Sequence, residues 1–183
     1  MNWIIPGTTL EDRRENAQRI DSLFSSMFLA GGLTLSQVAA VTGLESHTVQ
    51  NWVKRGFLSP PRAKRYDMNQ VCRIINMNLL KGALPLEQVC RLMTYLNGCL
   101  ADESDDLVDD AVLYFMFVRL ASHIRQIGGS TENWDDALQQ ITADYAEPLP
   151  GAREKLIKVL KIMLTAWAAN TLRMAAENMM DEL

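Results

Sequence analysis

The stretch LTLSQVAAVTGLESHTVQNWVKRGFLSPPRAKRYD, Leu33–Asp67, decides the fold. Thr34-Leu35-Ser36-Gln37 has the form of a capping box, a hydroxyl at the N-cap and an amide three residues on, so a helix is expected over about Leu35–Val41. Leu35, Val38, Ala39 and Val41 supply its buried side. Thr42-Gly43-Leu44 interrupts it, and Gly43 permits a left-handed backbone that a side chain disfavours. A second helix is expected over about Ser46–Arg55. Its 3.6-residue spacing puts Val49, Trp52 and Val53 on one face and Ser46, His47, Gln50, Asn51 and Lys54 on the other. Two short helices around a glycine turn form a helix-turn-helix pattern.

The second helix has a packed inner face and an amide-rich, basic outer one, which suits the major groove of double-stranded DNA. Gln and Asn can each bond adenine twice, and Lys reaches guanine or phosphate. Gln50, Asn51, Lys54 and His47 are the expected base contacts. The loop Ser59–Tyr66 is short, stiffened by Pro60-Pro61, and carries Arg62, Lys64 and Arg65, the composition of a wing that lies along phosphates. With Arg55, these three are the expected phosphate contacts. If Lys54, Arg55, Arg62, Lys64 and Arg65 all engage phosphate, the log–log salt slope of binding is about −4 to −5 per chain.

Charge patterning agrees with that placement. The whole chain of 183 residues has a formal net charge of −4, which by itself argues against a nucleic-acid partner. Segment by segment, residues 1–45 carry −2, residues 46–91 carry +6 and residues 92–183 carry −8. A basic segment between acidic ones is a hint of nucleic-acid contact.

The rest of the chain reads as helix, and the fold class is all-α. Thr9 is the expected cap of a first helix running to about Leu29 and stopped by Gly31-Gly32. Further helices are expected over about Met68–Lys81, Pro85–Leu96, Leu107–Gln126, Asn133–Tyr145 and Ala152–Met180. Gly128-Gly129 and Pro148-Leu149-Pro150 separate the last three. This gives a DNA-binding domain over residues 1–100 and a helical dimerisation or regulatory domain over residues 101–183.

Other chemistry is not indicated. Cys72, Cys90 and Cys99 form no CxxC pair, and the plain reading is reduced core cysteines in a cytoplasmic protein. The longest apolar run, Ala111–Val118, is eight residues, whereas a membrane span needs roughly 20. The acidic run Asp102-Glu103-Ser104-Asp105-Asp106 lacks the glycine and spaced ligands of a calcium loop, so it reads as a solvated helix start rather than a metal site. His123 stands alone in an apolar helix. No catalytic constellation, cofactor motif or metal site is present, so an enzyme is not expected. The ten methionines read as core fillers before they read as an effector pocket.

The same stretch resembles the MerR-type winged helix-turn-helix. Thr34, Val38, Ala39, Thr42 and Gly43 match its opening. Thr48, Val49, Trp52, Gly56, Phe57 and Leu58 match its second helix, and Arg65, Tyr66 and Asp67 the close of its wing. KGALPLEQVCRLM, Lys81–Met93, is similar to its fourth helix. More narrowly, GGLTLSQVAAVTGL, TVQNWVKRGF, SPP and YLNGCLADESDDLVDD resemble a bacterial family of unknown function. Members of that family carry a MerR-like N-terminal domain and are inferred to be transcriptional regulators. The resemblance implies a winged DNA-binding domain and a regulator. One departure stands out: the MerR pattern has a phosphate-contacting Arg and Tyr where this chain has Gln50 and Asn51.

The C-terminal half departs from the single long dimer helix of MerR proteins. Leu107–Gln126 is apolar nearly all round and must be covered on most sides. The last helix shows two apolar stripes, Leu156/Leu160/Met163/Trp167/Met174 and Ile157/Leu164/Ala168/Leu172/Ala175/Met179. One can face its own bundle and the other a second copy, so a homodimer through the C-terminal helices is expected. A larger bundle burying both stripes is the competing arrangement. The alternative function is a protein-interaction adaptor that keeps the helix-turn-helix fold without binding DNA.

Overall fold

A computed structural model describes residues 3–12, 19–98, 100, 106–126 and 131–182. Cys99, most of the acidic run (residues 102–105) and Gly128-Gly129 lie outside the described residues.

The chain is mostly helical, in agreement with the all-α expectation, with one small addition. Strands β1 (Trp3–Ile4) and β2 (Glu11–Asp12) pair antiparallel, Trp3 opposite Asp12 and Ile4 opposite Glu11. Among the described residues eight α-helices follow: α1 (Ile20–Met27), α2 (Leu35–Thr42), α3 (Ser46–Lys54), α4 (Met68–Leu80), α5 (Leu86–Asn97), α6 (Asp110–Gln126), α7 (Trp134–Ile141) and α8 (Ala152–Asp181).

The first helix differs from expectation. It starts at Ile20, and Thr9 does not cap it. Thr9 instead sits in the β1–β2 turn, where its hydroxyl donates to the carbonyls of Ala40 (2.6 Å) and Val41 (3.2 Å) and its amide to Val41 (2.8 Å). The last carbonyls of a helix have no partner within the helix, so Thr9 closes the end of α2. Asn78 of α4 joins the same knot, donating to Gly7 and Thr42 carbonyls at 3.0 and 2.8 Å. A residue read from local sequence as a helix start is recruited by a helix thirty residues away.

Helix α4 is the axis of the fold. Ten of its thirteen residues are buried, Val71, Ile74, Ile75 and Met77 completely. It packs along α6, whose residues from Ala111 to Val118 are buried apart from Val112. Tyr114 of α6 is enclosed and donates to the Pro6 carbonyl at 3.0 Å, while its ring meets Phe24 of α1 at 5.5 Å. One hydrophobic core therefore runs from the N-terminal ribbon through α4 and α6 to α8. A buried ion pair crosses it: Arg73 donates to Asp110 at 3.2 Å and to the Phe57 carbonyl. Asp110 thus serves α4 rather than only the start of its own helix.

Both apolar stripes of α8 turn inward over its first half. Leu156, Leu160, Met163 and Leu164 are buried, and Ile157, Trp167 and Ala168 are half-buried. No helix among the described residues is long and apolar enough to cross a membrane.

Candidate nucleic-acid interface

Helix α2 starts as its sequence dictates: the Gln37 amide reaches the Thr34 hydroxyl at 3.4 Å and the Gln37 side chain accepts from the Thr34 amide at 2.9 Å. It stops at Gly43, whose φ of +69° takes the chain into a three-residue turn, 43–45. Helix α3 then buries Val49 and Trp52 beneath it and leaves His47, Gln50, Asn51 and Lys54 exposed. At its far end Gly56 adopts φ +74°, and the amides of Gly56 and Phe57 return to the Val53 and Trp52 carbonyls at 3.0 and 2.9 Å. This is the Schellman closure, in which a glycine beyond the cap satisfies the last carbonyls.

The following loop is held at its base by three separate contacts. Leu33 and Tyr66 exchange backbone hydrogen bonds of 2.9 and 2.8 Å. Gly32 lies so close to this pair that an added Cβ would stand 2.7 Å from the Tyr66 carbonyl oxygen. Gln70, third residue of α4, donates to the Ser59 and Pro60 carbonyls and to the Ser59 hydroxyl, while Asp67 caps α4. At the tip, Ala63 (φ +47°) and Lys64 (φ +62°) form a two-residue turn between bridged Arg62 and Arg65. Two consecutive left-handed residues are the geometry of a type I′ turn, which matches the twist of flanking strands.

All eight residues expected as contacts are exposed. Gln50, Lys54 and Lys64 line one hollow of about 550 Å³ between α3 and the loop, floored by Leu35, Val53 and Tyr66. His47, Asn51, Lys54 and Arg55 line an adjoining one of about 520 Å³. The helix face and the loop tip are thus brought to the same side.

Their charges are not equally available. Arg55 is paired with Glu87 of α5 at 2.6 Å and lies 4.5 Å over the Phe57 ring. The Glu87 carboxyl is held below its ordinary range, first by its own backbone amide and then by Arg55. Arg65 donates to the Gly32 carbonyl at 2.8 Å, which uses one arm of its guanidinium. Lys54, Arg62 and Lys64 have no ion-pair partner among the described residues. Arg73, one of the eight cations of the basic segment, is buried with Asp110.

Sequence reading missed Glu87, which nothing local connects to Arg55. It also missed Gln70, although Asp67-Met68-Asn69-Gln70 spells a second capping box.

Residues 30–117 match the family model described as a domain of unknown function, DUF1836. Over 84 residues the chain is 26% identical to the uncharacterized protein YkrK of Bacillus subtilis (strain 168), a stretch covering 44% of this chain and 36% of that protein. The chain therefore spans just over a third of the length of the curated relative it matches. No solved structure matches it. The expected membership in a family of MerR-like regulators is overturned: what matches is a domain of unknown function, and neither finding is a MerR or helix-turn-helix family.

Proposed function

We propose that this chain binds double-stranded DNA as a transcriptional regulator, with α2 and α3 as a helix-turn-helix and residues 59–66 as its wing. The observation that carries the reading is the shared hollow. Exposed Gln50 and Lys54 on α3 face the same space as Lys64 at the tip of an anchored loop. Amides on a helix can read base edges in the major groove, and cations beside them hold phosphate. Gln50, Asn51, Lys54 and His47 take the first role and Arg62, Lys64 and Arg65 the second, and Lys54, whose ammonium reaches guanine or phosphate, counts in both.

Glu87 lowers the number of phosphate contacts expected from composition. With Arg55 held in its pair, Lys54, Arg62, Lys64 and Arg65 remain, and four contacts give a log–log salt slope of about −3.6. The association constant then falls about 150-fold between 50 and 200 mM salt. Fluorescence anisotropy with bulk duplex DNA measures this directly. A slope near zero refutes the reading, and so does undiminished binding by the Arg62→Ala/Lys64→Ala/Arg65→Ala variant. That second result is the one expected of an interaction adaptor. Selection of bound fragments from genomic DNA then defines the operator.

A further inference from the structure

Only the first half of α8 behaves as a bundle helix. Beyond Ala166 its large apolar side chains emerge, with Leu172 at 72%, Met179 at 68% and Met180 at 67% exposure. The exposed positions Ile162, Thr165, Ala169, Leu172, Ala176 and Met179 are separated alternately by three and four residues. That 3.5-residue period is the seam of a coiled coil, and alanine and threonine along it allow a second helix close approach. This seam keeps Leu172 and Met179 of the second stripe expected from the sequence and departs from it over the first half of the helix, where Ile157 and Leu164 turn inward.

The seam continues into a groove of about 860 Å³ between α8 and α5, walled by Leu92 and Tyr95 on one side and Ile162 and Ala169 on the other. Charge along α8 is polarised. Residues 152–166 carry four basic side chains against one acidic, and residues 167–182 one basic against three acidic.

We propose that this groove receives α8 of a second copy of the chain, running antiparallel, with the two-fold axis between Asn170 and Thr171. In that register Ile162 faces the partner's Met179, Thr165 the partner's Ala176 and Ala169 the partner's Leu172. Each contact occurs twice, as an isologous interface requires. Lys158 comes beside the partner's Glu182, and Lys161, which also pairs with Asp135 of α7 in its own chain at 2.6 Å, beside the partner's Asp181. A parallel pair sets lysine against lysine and acid against acid, so the charge gradient selects both orientation and occupant. A foreign helix would need the same seam with the same polarity. The pairing goes beyond the DNA-binding proposal and is independent of it.

Sedimentation equilibrium of the full chain, without DNA, tests the pairing. The expected mass at micromolar concentration is twice 20.6 kDa. Leu172→Glu should reduce it to the single-chain mass while far-ultraviolet circular dichroism stays unchanged, since the site is solvent-facing. Orientation is read by disulfide trapping. Two Ile162 positions of an antiparallel pair lie about 26 Å apart along the axis, seventeen residues at 1.5 Å each. Ile162→Cys and Met179→Cys chains should therefore cross-link when mixed and not separately, above the background of the natural cysteines. A monomeric wild type overturns the proposal, as does a dimer that survives Leu172→Glu. Cross-linking of Ile162→Cys with itself also overturns it, because it marks a parallel pair.

Discussion

The loop tip gives the sharpest quantitative prediction, because there backbone strain and proposed function pull in opposite directions. Ala63 and Lys64 hold φ of +47° and +62° without being glycine. A left-handed L-residue costs roughly 1–2 kcal/mol, and glycine, free of that cost, gives up roughly 0.5–1 kcal/mol in extra chain entropy. Replacing either residue by glycine should thus stabilise the fold by about 0.5–1 kcal/mol. For a chain of this size that raises the melting temperature by about 1–4 °C. Scanning calorimetry and urea titration monitored by circular dichroism both resolve such a change. The two variants should separate when DNA binding is measured. Ala63→Gly keeps every cation and leaves the salt slope at about −3.6, whereas Lys64→Gly drops it to about −2.7, a loss of about 40-fold between 50 and 200 mM instead of 150-fold. If Lys64→Gly fails to stabilise, the I′ turn is not the native geometry. If it stabilises and leaves the slope unchanged, Lys64 does not touch phosphate.

Other perturbations test the scaffold. Arg73→Ala strands the largely buried Asp110 carboxylate and should cost about 3–5 kcal/mol, whereas Arg55→Ala breaks an exposed pair and should leave the urea midpoint nearly unchanged; urea midpoints compare the two. Gly43→Ala should destabilise by about 1–2 kcal/mol, since it forces an L-residue to φ +69° with its Cβ 3.1 Å from the Thr9 methyl; thermal melts read it. Burial, opposed by Arg73, raises the Asp110 carboxyl above its ordinary 3.8, so the folded state holds this proton more tightly than the unfolded one. Its contribution is complete below 3.8 and is lost as pH rises through the raised value. The stability of wild type relative to Asp110→Asn should accordingly decline from acid to neutral pH, and a constant difference in urea titrations would contradict this.

The helices were legible where their signals are local. The Thr34–Gln37 box, the glycine turn and the Val49/Trp52 face each depend on residues within one or two turns, and α2 to α5 end within a residue or so of expectation. The N-terminal segment was not legible in this way. Thr9 looks like a helix cap in isolation, and only the nearness of the Ala40 and Val41 carbonyls gives it a different task. The stripes of α8 fail for a related reason. Periodicity identifies faces that can be buried, but not where along a thirty-residue helix the neighbouring bundle ends. Here it ends near Ala166, so the outward seam keeps Leu172 and Met179 of the second stripe and takes Ile162, Thr165 and Ala169 in place of its inward residues.

The candidate site was legible in position and overestimated in strength. A net +6 over residues 46–91 counts every cation as though it faced solvent. Arg73 instead neutralises Asp110 inside the core, and Arg55 is held by Glu87. These two pairings differ in consequence. Arg73 is buried, so its charge is withdrawn from the surface. The Arg55–Glu87 pair is exposed on both sides, so removing Glu87 frees the cation without stranding a buried charge. Under the proposed function Glu87 is a brake on binding, and Glu87→Gln has a signed consequence: Arg55 should join the contacts, and the salt slope should steepen by about 0.9, from −3.6 to about −4.5. That value lies within the range expected when all five cations are counted. The same titration in wild type and Glu87→Gln thus tells whether composition failed because the cation was paired or because it points away from the DNA. An unchanged slope selects the second.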